Sequence, residues 1–309
     1  MEVKVAVVQD SPAIFDLENT LEKVEKLTKE AASEGAKLIL FPEAFVSSYP
    51  KSLKFGTVVG NRTEEGREVW LKYVKSSVQV PGPATDRLAS IAAGNSIYLV
   101  IGVIERDTIS NGTLYCTILY FSPAGKLLGK HRKLKPTAGE RMVWGEGSGD
   151  TLSTFDTSIG KIGGLICWEN YMPLARMAMY NKGVEIYLAP TADHRDTWVA
   201  SMQHIAREGR CFVLSCNQFV KATDYPEDIL HLEGIKELPD IVTTGGSVIV
   251  SPLGKIIAGP LFNEAGILYA TLDLEDIIRS KLEFDVIGHY SRDDVFNFDV
   301  PSQPDTVKE

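Results

Sequence analysis

Three reactive side chains each lie at the end of a segment that predicts a strand. Cys167 comes after Gly-Gly-Leu-Ile, Glu43 comes after Leu-Ile-Leu-Phe-Pro, and Lys133 ends the strand predicted from about Lys126. The carboxyl ends of strands are where α/β folds place ligands. A thiol can attack an electrophilic carbon, a carboxylate can take the thiol proton, and an ammonium can stabilise the charge that develops. Together these residue types predict nucleophilic hydrolysis through cysteine.

Each of the three residues also has an ordinary structural explanation. Cys167 fits a buried core cysteine, Glu43 a solvated acid in a loop, and Lys133 an edge strand that lysine protects from pairing. The combination favours catalysis, because the sequence offers little competing chemistry. Its five histidines are scattered, its four cysteines show no C-x-x-C spacing, and it contains no Gly-rich phosphate loop. We therefore expect neither a metal nor an organic cofactor.

The elements that must position these residues alternate between strands and helices. Val3–Val8 predicts a strand, apolar residues from Leu17 to Ala31 share one helix face, Gly35 ends that helix, and Lys37–Phe41 predicts a second strand. Such a unit pairs its strands in parallel with a right-handed connection. Further strands are predicted at 97–104, 114–121, 126–133, 161–166, 184–189, 211–217, 246–250, 255–259 and 266–272, and helices at 88–93, 174–181 and 199–208. The fold class is α/β.

Nothing in the composition marks a linker, so one domain over 1–309 is predicted, with a short C-terminal tail from about residue 299. Stacked mixed sheets with helices outside are the expected architecture. Two similar turns, at 122–126 and 251–255, are compatible with two similar halves. Residues 50–66 form a long excursion, and the acidic segment 221–244 predicts a surface loop that is a candidate lid.

Composition excludes several classes of function. The net charge of −9 argues against a nucleic-acid partner, which requires a basic face. No apolar run approaches the roughly 18 residues that a membrane helix needs, and Met1–Val5 lacks the layout of a signal peptide. We therefore expect a cytoplasmic protein with no membrane partner.

With these residues in place, the chain resembles the nitrilase superfamily. Phe41-Pro42-Glu43, Arg132-Lys133-Leu134-Lys135-Pro136-Thr137 and Cys167-Trp168-Glu169 match its three motifs in order and spacing. The resemblance implies a four-layer α-β-β-α sandwich and a catalytic triad of Glu43, Lys133 and Cys167. It also implies that Glu140 is the family's additional glutamate, which positions the substrate and the lysine.

Longer matches point to the true nitrilase branch. The runs at 167–176, 189–193 and 288–292 are similar to bacterial and plant nitrilases. The resemblance implies hydrolysis of a small-molecule nitrile to a carboxylic acid and ammonia through a covalent thioimidate and thioester. The alternatives are an amidase of the same superfamily, a nitrile-hydrating relative and, from another class, a non-catalytic scaffold protein.

The substrate-binding residues are expected from the same resemblance. Tyr49 and Trp144 are similar to pocket-lining positions of the family, although both also fit core or interface packing. The backbone N–H of Trp168 is expected to face the developing charge. Thr191, Ala192 and His194 follow a strand end and are further candidates for the wall of the pocket. Aromatic walls would favour aryl or arylaliphatic nitriles.

Self-association as at least a dimer is the last expectation. The family resemblance implies that the helix over 174–181 packs against its counterpart in a second subunit. Its sequence predicts two apolar stripes, which need two covers. Small residues such as Ala175 and Ala178 would let two helices approach closely, whereas burial of the whole helix within one chain is the alternative.

Overall fold

A computed structural model describes residues 1–300, so the predicted tail from about residue 299 lies almost entirely outside the described residues. Thirteen strands form two sheets in the described part of the chain. They are β1 (Glu2–Gln9), β2 (Leu38–Leu40), β3 (Tyr98–Arg106), β4 (Leu114–Phe121), β5 (Leu127–Arg132), β6 (Thr154–Thr157), β7 (Gly160–Gly164), β8 (Ile186–Thr191), β9 (Phe212–Asn217), β10 (Phe219–Lys221), β11 (Ile241–Val250), β12 (Ile256–Phe262) and β13 (Gly266–Asp273).

The two sheets divide the chain roughly into halves. The first has the strand order β13-β1-β2-β3-β4-β5, and the second has the order β10-β11-β9-β8-β7-β6, with β12 paired to β11. The last strand, β13, returns to the first sheet and pairs antiparallel with β1 over its whole length. Neither half is therefore a separate unit, because the C-terminal strand closes the N-terminal sheet.

The described residues form six α-helices, four of which cover the outer faces of the two sheets. The six are α1 (Leu17–Ser33), α2 (Glu64–Ser76), α3 (Pro83–Gly94), α4 (Pro173–Asn181), α5 (Asp196–Gly209) and α6 (Glu275–Ser280). Helices α1 and α3 pack on the first sheet, and α4 and α5 pack on the second. The largest core lies between the sheets, where Val5 and Val7 of β1 share one cluster with Leu188 of β8 and Leu214 of β9. The predicted α-β-β-α layering is confirmed.

The predicted β-α-β opening is also confirmed. Strands β1 and β2 pair in parallel, and the helix between them starts where the Asp16 carboxylate accepts the backbone N–H of Asn19 at 3.1 Å. Gly35 follows the helix with φ of 86°, which a residue without Cβ adopts freely. Val5 and Val7 face the core between the sheets while Ala6 and Val8 face α1, so both faces of β1 are buried.

Two sequence-based expectations need correction. The segment 221–244 is largely exposed, as predicted, but it anchors Tyr225, Ile229, Leu232 and Ile235 in the central core, which argues against a lid, and its last residues enter β11. Its acidic residues are exposed, and because they are frequent the apolar spacing is hard to recognise in the sequence. The other expectation that needs correction is the packing of helix α4.

Helix α4 uses its small residues within its own chain. Ala175, Ala178 and Met179 are buried against the second sheet, so neither alanine is available to a partner helix. Leu174, in contrast, is 69% exposed. A single stripe therefore faces the core, and the apolar surface left outside lies at the N-terminal end of the helix.

Several short elements escaped prediction. Helix α2, strands β6 and β10, and helix α6 were not predicted, although α2 has 13 residues. Only Val69, Tyr73 and Val74 among its apolar residues are buried, which leaves a weak periodic signal. The described residues contain no helix that is long and apolar enough to cross a membrane.

Candidate active site

The loop after β7 holds Cys167 in an unusual conformation. The strand ends at Gly164, and Cys167 begins a 3-10 turn over Cys167–Tyr171 with φ of 52°. Positive φ is uncommon for residues other than glycine and costs free energy. A Cβ on Gly164 would overlap the carbonyl oxygen of Leu188, so glycine allows β7 to approach β8 closely. The thiol accepts a hydrogen bond of 3.2 Å from the hydroxyl of Thr191, the last residue of β8.

Glu43 sits on the other sheet, just beyond β2, and is fully buried. Its backbone crosses β3 at Gly102, where an added Cβ would lie 2.7 Å from the Glu43 Cα. The side-chain amide of Gln218 donates to the Glu43 carbonyl at 2.9 Å. These contacts fix the backbone, and the carboxylate is left to face the thiol.

Lys133 follows β5, the edge strand of the first sheet, yet its side chain is buried. Its Nζ donates to Glu43 Oε1 at 2.8 Å and to Glu140 Oε2 at 2.7 Å. Burial by itself would lower the pKa of this lysine, but the neighbouring acids, Glu43 first, raise it well above the usual value. Lys133 is therefore a charged ammonium shared by two carboxylates.

Glu140 lies in the 3-10 turn Ala138–Met142 and is held on three sides. Besides Lys133, its carboxylate accepts the backbone N–H of Thr137 at 2.7 Å and the hydroxyl of Tyr49 at 2.8 Å. Burial and Glu140 raise the pKa of Tyr49, so this hydroxyl stays protonated and donates. The structure thus brings together all four residues predicted to act in catalysis.

The thiol and the acid compete for one proton in a buried space. Burial, followed by the charge of Glu43, raises the pKa of Cys167 to about 12. Burial also raises the pKa of Glu43, against the opposing effects of Lys133 and of the Cys167 thiol. Glu43 Oε2 has no hydrogen-bond donor within the described residues. Cys167 is thus a neutral thiol near a carboxylate oxygen that has a free lone pair.

A second buried acid connects the lysine segment with the cysteine turn. Glu169 accepts the backbone N–H groups of Ile166 at 2.7 Å and Leu134 at 2.5 Å, and it contacts His131 Nε2 at 3.1 Å. The other ring nitrogen of His131 lies 3.0 Å from the Thr151 hydroxyl. In the sequence Glu169 is visible only as part of the Cys167-Trp168-Glu169 motif, because its contact with His131 joins residues 38 positions apart.

A cavity of about 490 Å³ opens at these residues. Of the residues predicted to bind substrate, Tyr49, Trp168 and His194 line it, together with Cys167 and Glu140. The Trp168 indole is held by a hydrogen bond of 2.8 Å to Asp193 and by the Arg195 guanidinium, 5.1 Å from its ring centre.

Two residues that were predicted to line the pocket do not lie at its surface. Trp144 lies behind Tyr49, with ring centres 5.7 Å apart, and its Nε1 donates to the Tyr73 hydroxyl at 3.1 Å. It is a buried support for the wall and not part of it, which corrects the expectation of direct contact. Thr191 is also buried and reaches the cysteine sulfur, not the cavity surface.

Part of the cavity wall was not predicted from the sequence. Residues from the excursion after Glu43, from the Glu140 turn and from the loop after β8 complete it: Pro50, Lys51, Ser52, Leu53, Lys54, Thr57, Thr137, Ala138, Gly139, Met142, Val143, Asp193 and Arg195. Their only signal was proximity in sequence to predicted catalytic residues. Ala192, which was expected in the wall, lines the cavity as well.

The sequence is similar to families of known activity. The carbon-nitrogen hydrolase family matches residues 4–281. Nitrilase 3 of Arabidopsis thaliana is 54% identical over 98% of this chain and 88% of its own length. The bifunctional nitrilase/nitrile hydratase NIT4A of Lupinus angustifolius is 53% identical over 98% and 87%. The aliphatic nitrilase of Sinorhizobium fredii (strain HH103) is 51% identical over 97% and 96%.

Solved structures share the fold. Nit3 of Saccharomyces cerevisiae, a member of branch 10 of the nitrilase superfamily, superposes with a TM-score of 0.73 at 25% identity over 94% of this chain and 96% of that one. An amidase from Nesterenkonia sp. gives a TM-score of 0.67 at 21% identity, over 91% and 94% of the two chains. The latter comparison bears on the fold alone.

Proposed function

Because this chain belongs to the carbon-nitrogen hydrolase family and to its nitrilase branch, we propose that it hydrolyses an organic nitrile to the carboxylic acid and ammonia with Cys167 as nucleophile. Glu43 serves as general base and Lys133 stabilises developing charge. Glu140 orients Lys133 and, through Tyr49, the wall of the cavity. The observation that carries this proposal is the ammonium of Lys133 within 2.8 Å of both carboxylates, next to the thiol.

The first chemical step forms a carbon–sulfur bond. Glu43 takes the proton of Cys167 as the sulfur attacks the nitrile carbon, and that proton passes to the nitrile nitrogen, which gives a neutral thioimidate. Lys133 and the backbone N–H of Trp168 face the nitrogen where negative charge develops. Transfer of the proton to Glu43 accompanies the attack in this proposal, because burial and the Glu43 charge raise the pKa of the thiol to about 12 and leave little thiolate in advance.

Two water molecules complete the reaction. Glu43 removes a proton from the first water as it adds to the thioimidate, and the resulting tetrahedral centre expels ammonia to leave a thioester. A second water attacks the thioester, releasing the carboxylic acid and restoring the Cys167 thiol. One nitrile and two waters thereby yield one acid and one ammonia, with no change in oxidation state.

Trapping the covalent intermediate tests this function. Wild-type protein and a Cys167→Ala variant are incubated with aryl and aliphatic nitriles and with the corresponding amides, while ammonia release is followed. We expect ammonia from nitriles with wild type only, and an adduct located on Cys167 by mass spectrometry. Turnover of amides alone would overturn the proposal in favour of an amidase, and an adduct on another cysteine would overturn the assignment of the nucleophile.

A second product, the amide, is favoured by one specific observation. Relatives at 53% identity carry the name bifunctional nitrilase/nitrile hydratase. If the tetrahedral centre expels sulfur instead of ammonia, the amide is released and Cys167 is regenerated after only one water. Chromatography of the acid and amide from a single nitrile gives their ratio directly, and a ratio independent of nitrile concentration is expected when both arise from one intermediate.

We also propose self-association through the surface beside the active site. Four apolar side chains are partly or largely exposed there, at 39% to 69%: Trp168, Tyr171, Met172 and Leu174. Contiguous apolar surface of this kind marks interaction sites. Since these residues directly follow Cys167, a second copy that covers them would also contact the turn that holds the nucleophile and restrict its movement.

A further inference from the structure

The wall of the cavity carries a lysine with no acidic partner. The side chain of Lys51 is half-buried and reaches across to the second sheet. Its ammonium donates to the carbonyl oxygen of Val242 and lies 3.0 Å from His194 Nε2 and 3.5 Å from the Thr243 hydroxyl. All three partners are neutral acceptors, and the third contact is long.

Other cations around the cavity are neutralised by carboxylates. Lys54 pairs with Glu233 at 2.9 Å, and Arg195 pairs with Asp193 through Nε at 2.8 Å. Lys51 has no carboxylate within 4.0 Å among residues 1–300, so it leaves a positive charge at the cavity surface. The chain as a whole is acidic, so this local excess does not follow from composition.

His194 fixes the lysine instead of neutralising it. Its Nδ1 lies 3.1 Å from the Thr244 hydroxyl, and Nε2 faces Lys51. Burial, followed by the Lys51 charge, lowers the pKa of His194, so the ring stays neutral and accepts from the ammonium. Burial also lowers the pKa of Lys51. A bound anion would offset this desolvation and form a charge-assisted hydrogen bond.

We propose that Lys51, held by His194, binds a carboxylate carried by the substrate at a position remote from its nitrile group. The inference rests on the proposed nitrilase function and names the substrate class as nitriles that bear a carboxylate. Cys167 and Lys51 line the same cavity, so one ligand of suitable length can engage both. The nitrile carbon then meets the thiol while the carboxylate meets the ammonium.

Substrate pairs that differ only in charge test this subsite. A series of ω-cyano carboxylates of increasing length is compared with the matching ω-cyano alcohols, in wild type and in Lys51→Met. We expect wild type to show a higher kcat/KM for the carboxylate at one chain length. Lys51→Met should lose about 10- to 100-fold on that carboxylate, as expected for a charged hydrogen bond, and less than about threefold on the alcohol.

Two matched variants control for charge and structure. Lys54→Met removes the same charge at the same cavity, but from a lysine that Glu233 already pairs, so the preference for the carboxylate should persist. Lys51→Arg keeps the charge and should keep most of the preference. An equal loss on both substrates in Lys51→Met would overturn the inference, as would equal effects of Lys51→Met and Lys54→Met.

A binding measurement separates this inference from the proposed catalysis. The preferred ω-cyano carboxylate is titrated calorimetrically into Cys167→Ala and into Cys167→Ala with Lys51→Met. At least tenfold weaker binding in the double variant supports the subsite whether or not turnover occurs. Equal affinity overturns the subsite. Wild type that binds the anion but releases no ammonia from any nitrile overturns the nitrilase proposal alone.

Discussion

The carboxylate of Glu169 lies 3.1 Å from Nε2 of His131, at a buried junction between the two sheets. Because the same carboxylate accepts the backbone N–H of Ile166, one residue before the nucleophile, it also fixes the turn that holds Cys167. It accepts the backbone N–H of Leu134, one residue after Lys133, as well. Glu169 therefore links the turn that holds Cys167 to the segment that holds Lys133.

Glu169→Gln should impair turnover more than binding. The amide has a single acceptor oxygen, so it cannot serve both backbone N–H groups and the His131 ring, and one buried donor loses its partner. We expect kcat to fall about 10- to 100-fold with a smaller change in KM, together with a lower melting temperature. Glu146→Gln, at an exposed acid paired with Lys135, is the control and should change neither. Unchanged kcat in Glu169→Gln would exclude the positioning role.

The thiol of Cys167 should be protonated in the resting enzyme. Since burial and the Glu43 charge raise its pKa to about 12, ionisation lies far above neutral pH. The difference in absorbance at 240 nm between wild type and Cys167→Ala should show no thiolate from pH 6 to 9. Glu43→Gln removes a charge that raises the pKa, so any thiolate signal should begin at lower pH in that background. A thiolate signal at pH 7 in wild type would contradict this assignment.

Removing either charged member of the triad should nearly abolish activity. Glu43→Gln and Lys133→Met are each expected to lower kcat/KM by about 10³-fold or more, because the residues act as a unit. Lys133→Met also leaves two buried carboxylates facing each other, which costs about 3–5 kcal/mol when a buried pair is broken. Urea unfolding should therefore show a larger loss for Lys133→Met than for Glu43→Gln. Equal stability of the two variants would argue against a charged Lys133.

Glu140→Gln should be severe even though Glu140 is not the base. The amide keeps the size of the side chain but weakens its hold on Lys133 and Tyr49. We expect a fall in kcat of about 100-fold, measured by ammonia release under saturating nitrile. Tyr49→Phe, which removes only one of the three contacts, should have a smaller effect on kcat. Normal turnover by Glu140→Gln would refute its role while leaving the triad intact.

Leu174→Asp should dissociate the proposed dimer. Leu174 is largely exposed, so a carboxylate there is compatible with the fold of one chain but not with an apolar interface. Light scattering should report a dimer or larger for wild type and a smaller species for the variant. Lys182→Asp, a charge change at the other end of the same helix, is the comparison. A monomeric wild type would refute self-association.

The sequence predicted the proposed catalytic residues more completely than the residues that hold the site in place. Glu43, Lys133 and Cys167 each follow a predicted strand, so local pattern and family resemblance together identify them. Lys51 and Glu169, in contrast, matter through contacts with His194 and His131, which lie 143 and 38 positions away. Such contacts depend on how the sheets stack, and periodicity carries no information about stacking.

Trp144 shows the same limit within a single position. Its family position indicated that it lines the pocket. In the structure Tyr49 lies between Trp144 and the cavity, and the Tyr73 hydroxyl accepts the indole N–H of Trp144. Tyr73 belongs to helix α2, which was not predicted, so this contact could not be expected from the sequence.

The two sheets contribute different parts of the catalytic group. Glu43 and Lys133 extend from the first sheet, whereas Cys167 and Thr191 extend from the second. The rate of hydrolysis therefore depends on the relative position of the two sheets. Circular dichroism reports the secondary structure of each sheet and is much less sensitive to how the sheets are placed against each other. During chemical denaturation, a species that keeps both sheets but lets them slide apart would have a normal far-ultraviolet spectrum and no turnover. Inactivation at lower denaturant than the loss of ellipticity would be the signature of that slippage.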